Sequence, residues 1–93
     1  MKTNRSHQSI NVMHEIKKYI TDNILIGESY MINENVSFQE TGIIDSIGFL
    51  ELITYVEEMF NIKITDDELI PENFDSLQKI SHFVEKKLAK KKI

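Results

Sequence analysis

Asp45-Ser46-Ile47-Gly48-Phe49-Leu50-Glu51-Leu52-Ile53-Thr54-Tyr55-Val56-Glu57-Glu58-Met59-Phe60 is the stretch that decides the fold. Phe49, Leu52, Ile53, Val56 and Phe60 stand at i, i+3, i+4, i+7 and i+11, which predicts a helix with one face in a core. Asp45 and Ser46 are both residue types that cap a helix N-terminus, and Asn61 suits its end. Two apolar residues, Ile47 and Leu50, fall off that stripe, on the side that holds Glu51, Thr54 and Glu58. An apolar pair ringed by acids reads either as a contact patch for a basic partner or as a surface covered by the preceding loop.

Helical patterns lie on both sides. Met13, Ile16, Ile20 and Ile24 form one stripe of an amphipathic helix from about Ile10 to Leu25, and Gly27 follows as a left-handed cap. Residues 28–44 have no sustained period and read as a long loop pinned by Val36 and Phe38; in so small a domain such a loop is often functional. Thr65-Asp66-Asp67-Glu68 is a capping box that opens a helix of one or two turns, with Pro71 as its stop. Asp75 is expected to cap a last helix, with Ser76 as its first residue and Leu77, Ile80, Val84 and Leu88 as its stripe. The expectation is an all-α chain of four helices, one of them very short. A flexible N-terminus (1–9) and a basic C-terminal tail (89–93) flank the folded unit (10–88).

Ninety-three residues allow one small core. The lack of cysteine removes disulfides, thiolate metal sites and a thiol nucleophile from this chain. No apolar run is long enough to cross a bilayer, and the polar start, MKTNRSHQSI, carries no apolar signal core. These features predict a soluble cytoplasmic protein, a monomer that does not insert in a membrane. The net charge of −4 is unevenly spread: Glu40 to Asp75 holds ten acids and one base, Lys63, while the remainder holds five acids and ten bases. The acidic middle repels nucleic acid and attracts basic protein surfaces. The terminal lysines Lys86, Lys87, Lys90, Lys91 and Lys92 suit the negative end of a helix dipole.

Ser46 stands where a helix N-terminus favours an attached phosphate, and its hydroxyl is a natural acceptor for a phosphodiester-linked group. An N-cap without further function accounts for the same spacing. Asp75-Ser76-Leu77 repeats the Asp-Ser-apolar pattern, but no Gly-apolar-apolar run precedes it.

The segment Gly42-Ile43-Ile44-Asp45-Ser46-Ile47-Gly48-Phe49-Leu50-Glu51-Leu52 resembles the prosthetic-group site of acyl carrier proteins. There an Asp-Ser-Leu motif opens the second helix, and its serine carries 4′-phosphopantetheine; Ile47 is a conservative departure. The resemblance extends from Ile10 to Leu88 and implies a four-helix bundle of acyl-carrier type with a long first loop and a short third helix. It implies Ser46 as the attachment site and Asp45 as the acid that positions it. It also makes Ile47, Leu50, Glu51, Glu57 and Glu58 a face for partner enzymes: a phosphopantetheinyl transferase, an acyl- or aminoacyl-loading enzyme, and downstream transferases or synthases. The implied activity is carriage of an acyl or aminoacyl group as a thioester, with no catalysis by the chain and with its thiol supplied by the cofactor. Fatty-acid carriers have one residue between the glycine and the motif and an acid after it. Here two residues, Ile43 and Ile44, intervene and Gly48 follows, which is more similar to D-alanyl, aminoacyl or polyketide-type carriers.

Two other classes compete with this reading. Ser46, Asp45 and His82 supply the residue types of a catalytic triad, but adjacent Asp45 and Ser46 point apart at a helix start. His7, His14 and His82 lack metal-ligand spacing. An acidic helical module that carries nothing accounts for the charge, though not for the match around Ser46.

Overall fold

Capping chemistry and apolar spacing together divide the chain into helices. The computed structural model describes residues 11–25 and 33–91. Helix α1 is Val12–Tyr19, α2 Phe38–Thr41, α3 Ser46–Phe60, α4 Pro71–Phe74 and α5 Leu77–Lys91, with no strand among the described residues. The expected all-α bundle is therefore the observed fold.

Helix α1 begins at Asn11, whose side chain accepts the His14 N–H at 3.0 Å. Ile16 and Ile20 of the expected stripe are fully buried. Past Tyr19 the helix widens into a π turn, Ile20–Ile24, closed by the Leu25 N–H on the Ile20 carbonyl at 2.9 Å. The wider turn shifts the register by one residue, so Leu25 enters the core and Ile24 is left half-buried at its edge. Ile10 and the expected cap at Gly27 lie outside the described residues.

Helix α1 packs against α5, α3 crosses α5, and α4 abuts the start of α5. Leu52 and Val56 of α3 meet Leu77, Ile80 and Val84 of α5 in one cluster, all fully buried. Phe74 sits among aromatics, edge-on to Phe49 with centroids 6.1 Å apart and tilted on Phe83 at 4.8 Å.

Three local expectations are corrected. The stretch before Ile44 is not loop throughout, because a single turn, α2, forms over residues 38–41. Its N-cap is Ser37, and Gly42 closes it in the left-handed conformation, φ 68°. As expected, Phe38 pins this segment, at 3% exposure. Secondly, Pro71 does not stop a helix. The capping box yields a short 3₁₀ turn, Asp66–Glu68, and Pro71 then opens α4 at its first position, where a missing N–H costs nothing.

Thirdly, Ser76 and not Asp75 caps α5: the Ser76 hydroxyl accepts the Lys79 N–H at 3.1 Å. Asp75 is engaged across the fold. Its carboxylate accepts the Gln39 N–H at 2.9 Å and the Ser37 hydroxyl, and its carbonyl accepts the Phe38 N–H at 2.8 Å. Asp75 thus supplies acceptors for the orphan donors at the N-terminus of α2, a partnership between residues too far apart in sequence for local capping rules to detect.

Glu68 ties the 3₁₀ turn to α5. Its carboxylate accepts the Thr65 N–H at 3.0 Å and meets the Lys87 ammonium at 2.9 Å. The Thr65 N–H first, and Lys87 with it, hold the Glu68 carboxyl below its ordinary value of 4.5. Because the folded state favours the ionised form, this stabilisation is fully present above pH 4.5 and is lost as pH falls through the lowered folded value. Glu68→Gln is therefore expected to lower the urea midpoint at pH 7, and the gap to the parent should close progressively below pH 4.5. A gap that stayed constant across that range would remove the ionised contact from the account.

Candidate functional site

The motif segment lies where α2, the start of α3 and the turn into α4 converge. Asp45 is the N-cap of α3: its Oδ1 accepts the Gly48 N–H at 2.8 Å, and its carbonyl accepts the Phe49 N–H at 2.8 Å. The carboxylate therefore faces along the helix start, not toward the neighbouring hydroxyl. Ser46 follows as the first helical residue, and its side chain is exposed. Among the described residues no acceptor takes the Ser46 and Ile47 N–H groups, so the helix presents unpaired donors and its positive dipole end beside that hydroxyl.

Gly48 is buried directly beneath. A Cβ built there would stand 3.2 Å from Asp45 Oδ1 and 3.3 Å from methyl carbons of Ile24 and Ile44. Glycine thus lets the Asp45 carboxylate close over its N–H while the end of the first helical segment packs against α3. The position turns into the protein, so the acid absent from it is not replaced by an outward charge.

Beside Ser46 opens a cleft of about 290 Å³. Phe38, Ile44, Phe49 and Phe74 give it apolar walls, and Ser46, Asp45, Gln39 and Asp75 stand at its polar positions. Ile70, 41% exposed, lies on its rim. Of these residues the sequence singled out Asp45 and Ser46 for the site, and Phe38, Phe49 and Asp75 only for the fold. The α4 contribution was not legible, because Pro71 read as a stop and Phe74 belongs to no long stripe. The arrangement fits a phosphodiester-linked arm: an exposed hydroxyl for attachment, backbone donors for the phosphate, and an adjoining groove of mixed polarity.

The side face of α3 is the second feature. Ile47 and Leu50 are 69% and 62% exposed, and no loop covers them among the described residues. With Glu51, Thr54 and Glu58 they border a shallow groove whose other wall is Tyr19 and Asn23, from the end of the first helical segment. Tyr19 stacks on Tyr55 with centroids 3.9 Å apart. The Tyr55 hydroxyl donates to the Glu15 carbonyl at 3.3 Å, and burial first, then the Glu15 charge, push it above its ordinary value of 10.0. Nothing local marks Tyr19 and Asn23 as part of this groove, since they lie more than twenty residues from Ser46.

Glu57 is placed differently from the other residues expected on this face. Its carboxylate accepts the Ile64 N–H at 2.8 Å, and its carbonyl accepts the Ile62 N–H at 3.2 Å. Half-buried, it fastens the segment that leaves α3 and lies outside the groove of Ile47, Leu50, Glu51 and Glu58.

Comparison with known proteins gives a consistent picture. A family model described as "phosphopantetheine attachment site" matches residues 24–84. An acyl carrier protein of Buchnera aphidicola (subsp. Baizongia pistaciae) is 37% identical over 82% of this chain and 94% of its own length. A D-alanyl carrier protein of Abiotrophia defectiva is 27% identical over 59% of this chain and 70% of its own. A chain in a solved crystal structure of an FAD-dependent dehydrogenase superposes with a TM-score of 0.68, over 74% of this chain and 97% of that one. At 23% identity that last likeness shows the fold alone.

Proposed function

Because the chain belongs to the phosphopantetheine-attachment family of acyl carrier proteins, we propose that Ser46 is the residue that bears its 4′-phosphopantetheine. The observation that carries this is the exposed Ser46 hydroxyl at the first position of α3, beside a cleft and two unpaired backbone donors. Once attached, the arm supplies a thiol that holds an acyl or aminoacyl group as a thioester, which is the chemistry a cysteine-free chain lacks. The protein's own residues present the group. Asp45 fixes the helix start through Gly48, and the Ser46 and Ile47 amides favour the phosphodiester.

The chain works by carriage and not by catalysis. The Asp45 carboxylate is turned to the Gly48 N–H, and among the described residues no histidine lines the cleft beside Ser46. Ile47, Leu50, Glu51 and Glu58 form the face on which a phosphopantetheinyl transferase and the loading enzyme dock, as a monomeric carrier in the cytoplasm. Glu57 supports that face by holding the end of α3. The two residues between Gly42 and Asp45, with Gly48 after the motif, favour an aminoacyl, D-alanyl or polyketide-type pathway. General fatty-acid synthesis is the second reading, favoured by the higher identity to acyl carrier proteins than to the D-alanyl carrier. The mass of thioester-linked species trapped in the native host separates the two.

Intact mass after incubation with a phosphopantetheinyl transferase and coenzyme A tests the attachment. One phosphopantetheine is the expected gain; no gain under conditions that load a control carrier overturns the proposal. Charge tests the docking face. Glu51→Lys combined with Glu58→Lys should slow loading about tenfold at low ionic strength and much less at high salt, because exposed acids steer a basic partner over a screened distance. Equal rates at low salt would remove this face from docking.

A further inference from the structure

A basic surface lies at the opposite end of α3. Lys63, in the segment that leaves α3, comes beside Lys87 and Lys90 of α5 to line a groove with Asn61 and Ile62. Lys86, Lys87 and Lys90 line a second groove with Phe83, Ala89, Asn73 and the Glu68 carboxylate that Lys87 neutralises. The two depressions share Lys87 and Lys90 and so form one patch. Lys87 serves the fold: its ammonium pairs with Glu68 and lies 5.7 Å from the Phe83 ring centroid. Lys63 and Lys86 are exposed, as is Lys90, and none of the three has an ion-pair partner among the described residues. A favourable helix dipole accounts for Lys86 and Lys90, both in the last turns of α5. It does not account for Lys63, which arrives from a different element and is the sole base between Glu40 and Asp75.

We propose that this patch is a second docking surface, and that its occupant is a short acidic segment of a partner protein. Three unpaired ammonium groups around two shallow grooves complement a few carboxylates on an extended stretch of chain. A membrane is disfavoured because, among the described residues, the exposed large apolar ones are Ile47, Leu50, Met59 and Ile70, none of which lines these grooves. A nucleic acid is disfavoured because Phe83, the one ring among the described residues that line these grooves, is 7% exposed and so offers no stacking face. Helix α3 has 15 residues, so Ser46 lies about 20 Å away along its axis. A partner held at the lysines therefore leaves Ser46 and the Ile47–Leu50 face open to other enzymes, and the carrier can remain tethered while it is loaded.

The test uses the full-length chain and a fluorescent oligoglutamate peptide, with a labelled single-stranded oligonucleotide and phosphatidylglycerol vesicles as parallel probes. The intact chain should bind the peptide in preference to both. Lys63→Glu, Lys86→Glu and Lys90→Glu together should weaken peptide binding at least about tenfold, from three lost surface contacts. The charge-matched control Lys17→Glu, Lys18→Glu and Lys79→Glu should change it less than about twofold. Saturating peptide should leave the rate of phosphopantetheine loading unchanged. Equal losses in the two triple variants, preferential binding of oligonucleotide or vesicles, or loading blocked by the peptide would each overturn the proposal. Attachment at Ser46 is read separately, by mass, and its success or failure is independent of the lysines.

Discussion

Ser46→Ala is expected to abolish covalent loading completely, while Ser76→Ala loads like the parent protein. Both serines follow an aspartate and precede an apolar residue at a helix start, and in sequence the Gly-apolar-apolar run before Asp45 separates them. Their surroundings separate them further. The Ser46 side chain is exposed beside the cleft, whereas Ser76 is 4% exposed and its hydroxyl accepts the Lys79 N–H at 3.1 Å. A transferase can reach the first, but to reach the second it would have to open α5 from its cap. Loss of that cap costs about 1 kcal/mol, too little to unfold the domain, so Ser76→Ala is a usable control. Intact mass after treatment with transferase and coenzyme A reads both variants in one measurement. Residual loading of Ser46→Ala would place the attachment elsewhere, and loss of loading in Ser76→Ala would implicate the start of α5.

The largest effect on stability is expected from Phe74→Ala, at about 3–5 kcal/mol. Phe74 is 1% exposed and lies between Phe49 of α3 and Phe83 of α5, so truncation leaves a void that those rings cannot fill without moving. Against a total of roughly 5–15 kcal/mol for a natural domain, the loss is a large fraction. Because Phe74 also lines the cleft beside Ser46, its removal should loosen the wall on the α4 side. Equilibrium urea denaturation measures the change; a loss below about 1 kcal/mol would mean that the three rings are not packed as described.

The helix spine was legible because apolar period and caps are local. The i, i+3, i+7, i+11 spacing in Phe49–Phe60 and Leu77–Leu88 needs only residues within a few turns of one another, and those stripes build the core, with Phe49 and Leu88 half-buried against it. Asp45 as a cap and Ser46 at the helix start follow from the same local rules. Ile47 and Leu50 stood out because they depart from the stripe, and their exposure agrees with that departure.

What required the tertiary structure is each decision between two uses of one residue type. Asp75 looks like a cap for α5 until α2 is brought against it, and then its carboxylate serves Ser37 and Gln39 instead. Glu57 and Glu58 are adjacent acids, yet one is fixed to the Ile64 N–H and the other borders the groove. Ser46 and Ser76 share an Asp-Ser-apolar pattern, and only the folded chain shows the first exposed and the second buried. Lys63 gains its neighbours Lys87 and Lys90 only when α3 and α5 cross. Helical period and capping are properties of contiguous chain and are written in the sequence. Exposure and long-range hydrogen bonding depend on which segments meet, and for this protein they decide which serine, which acids and which lysines stand free at the surface.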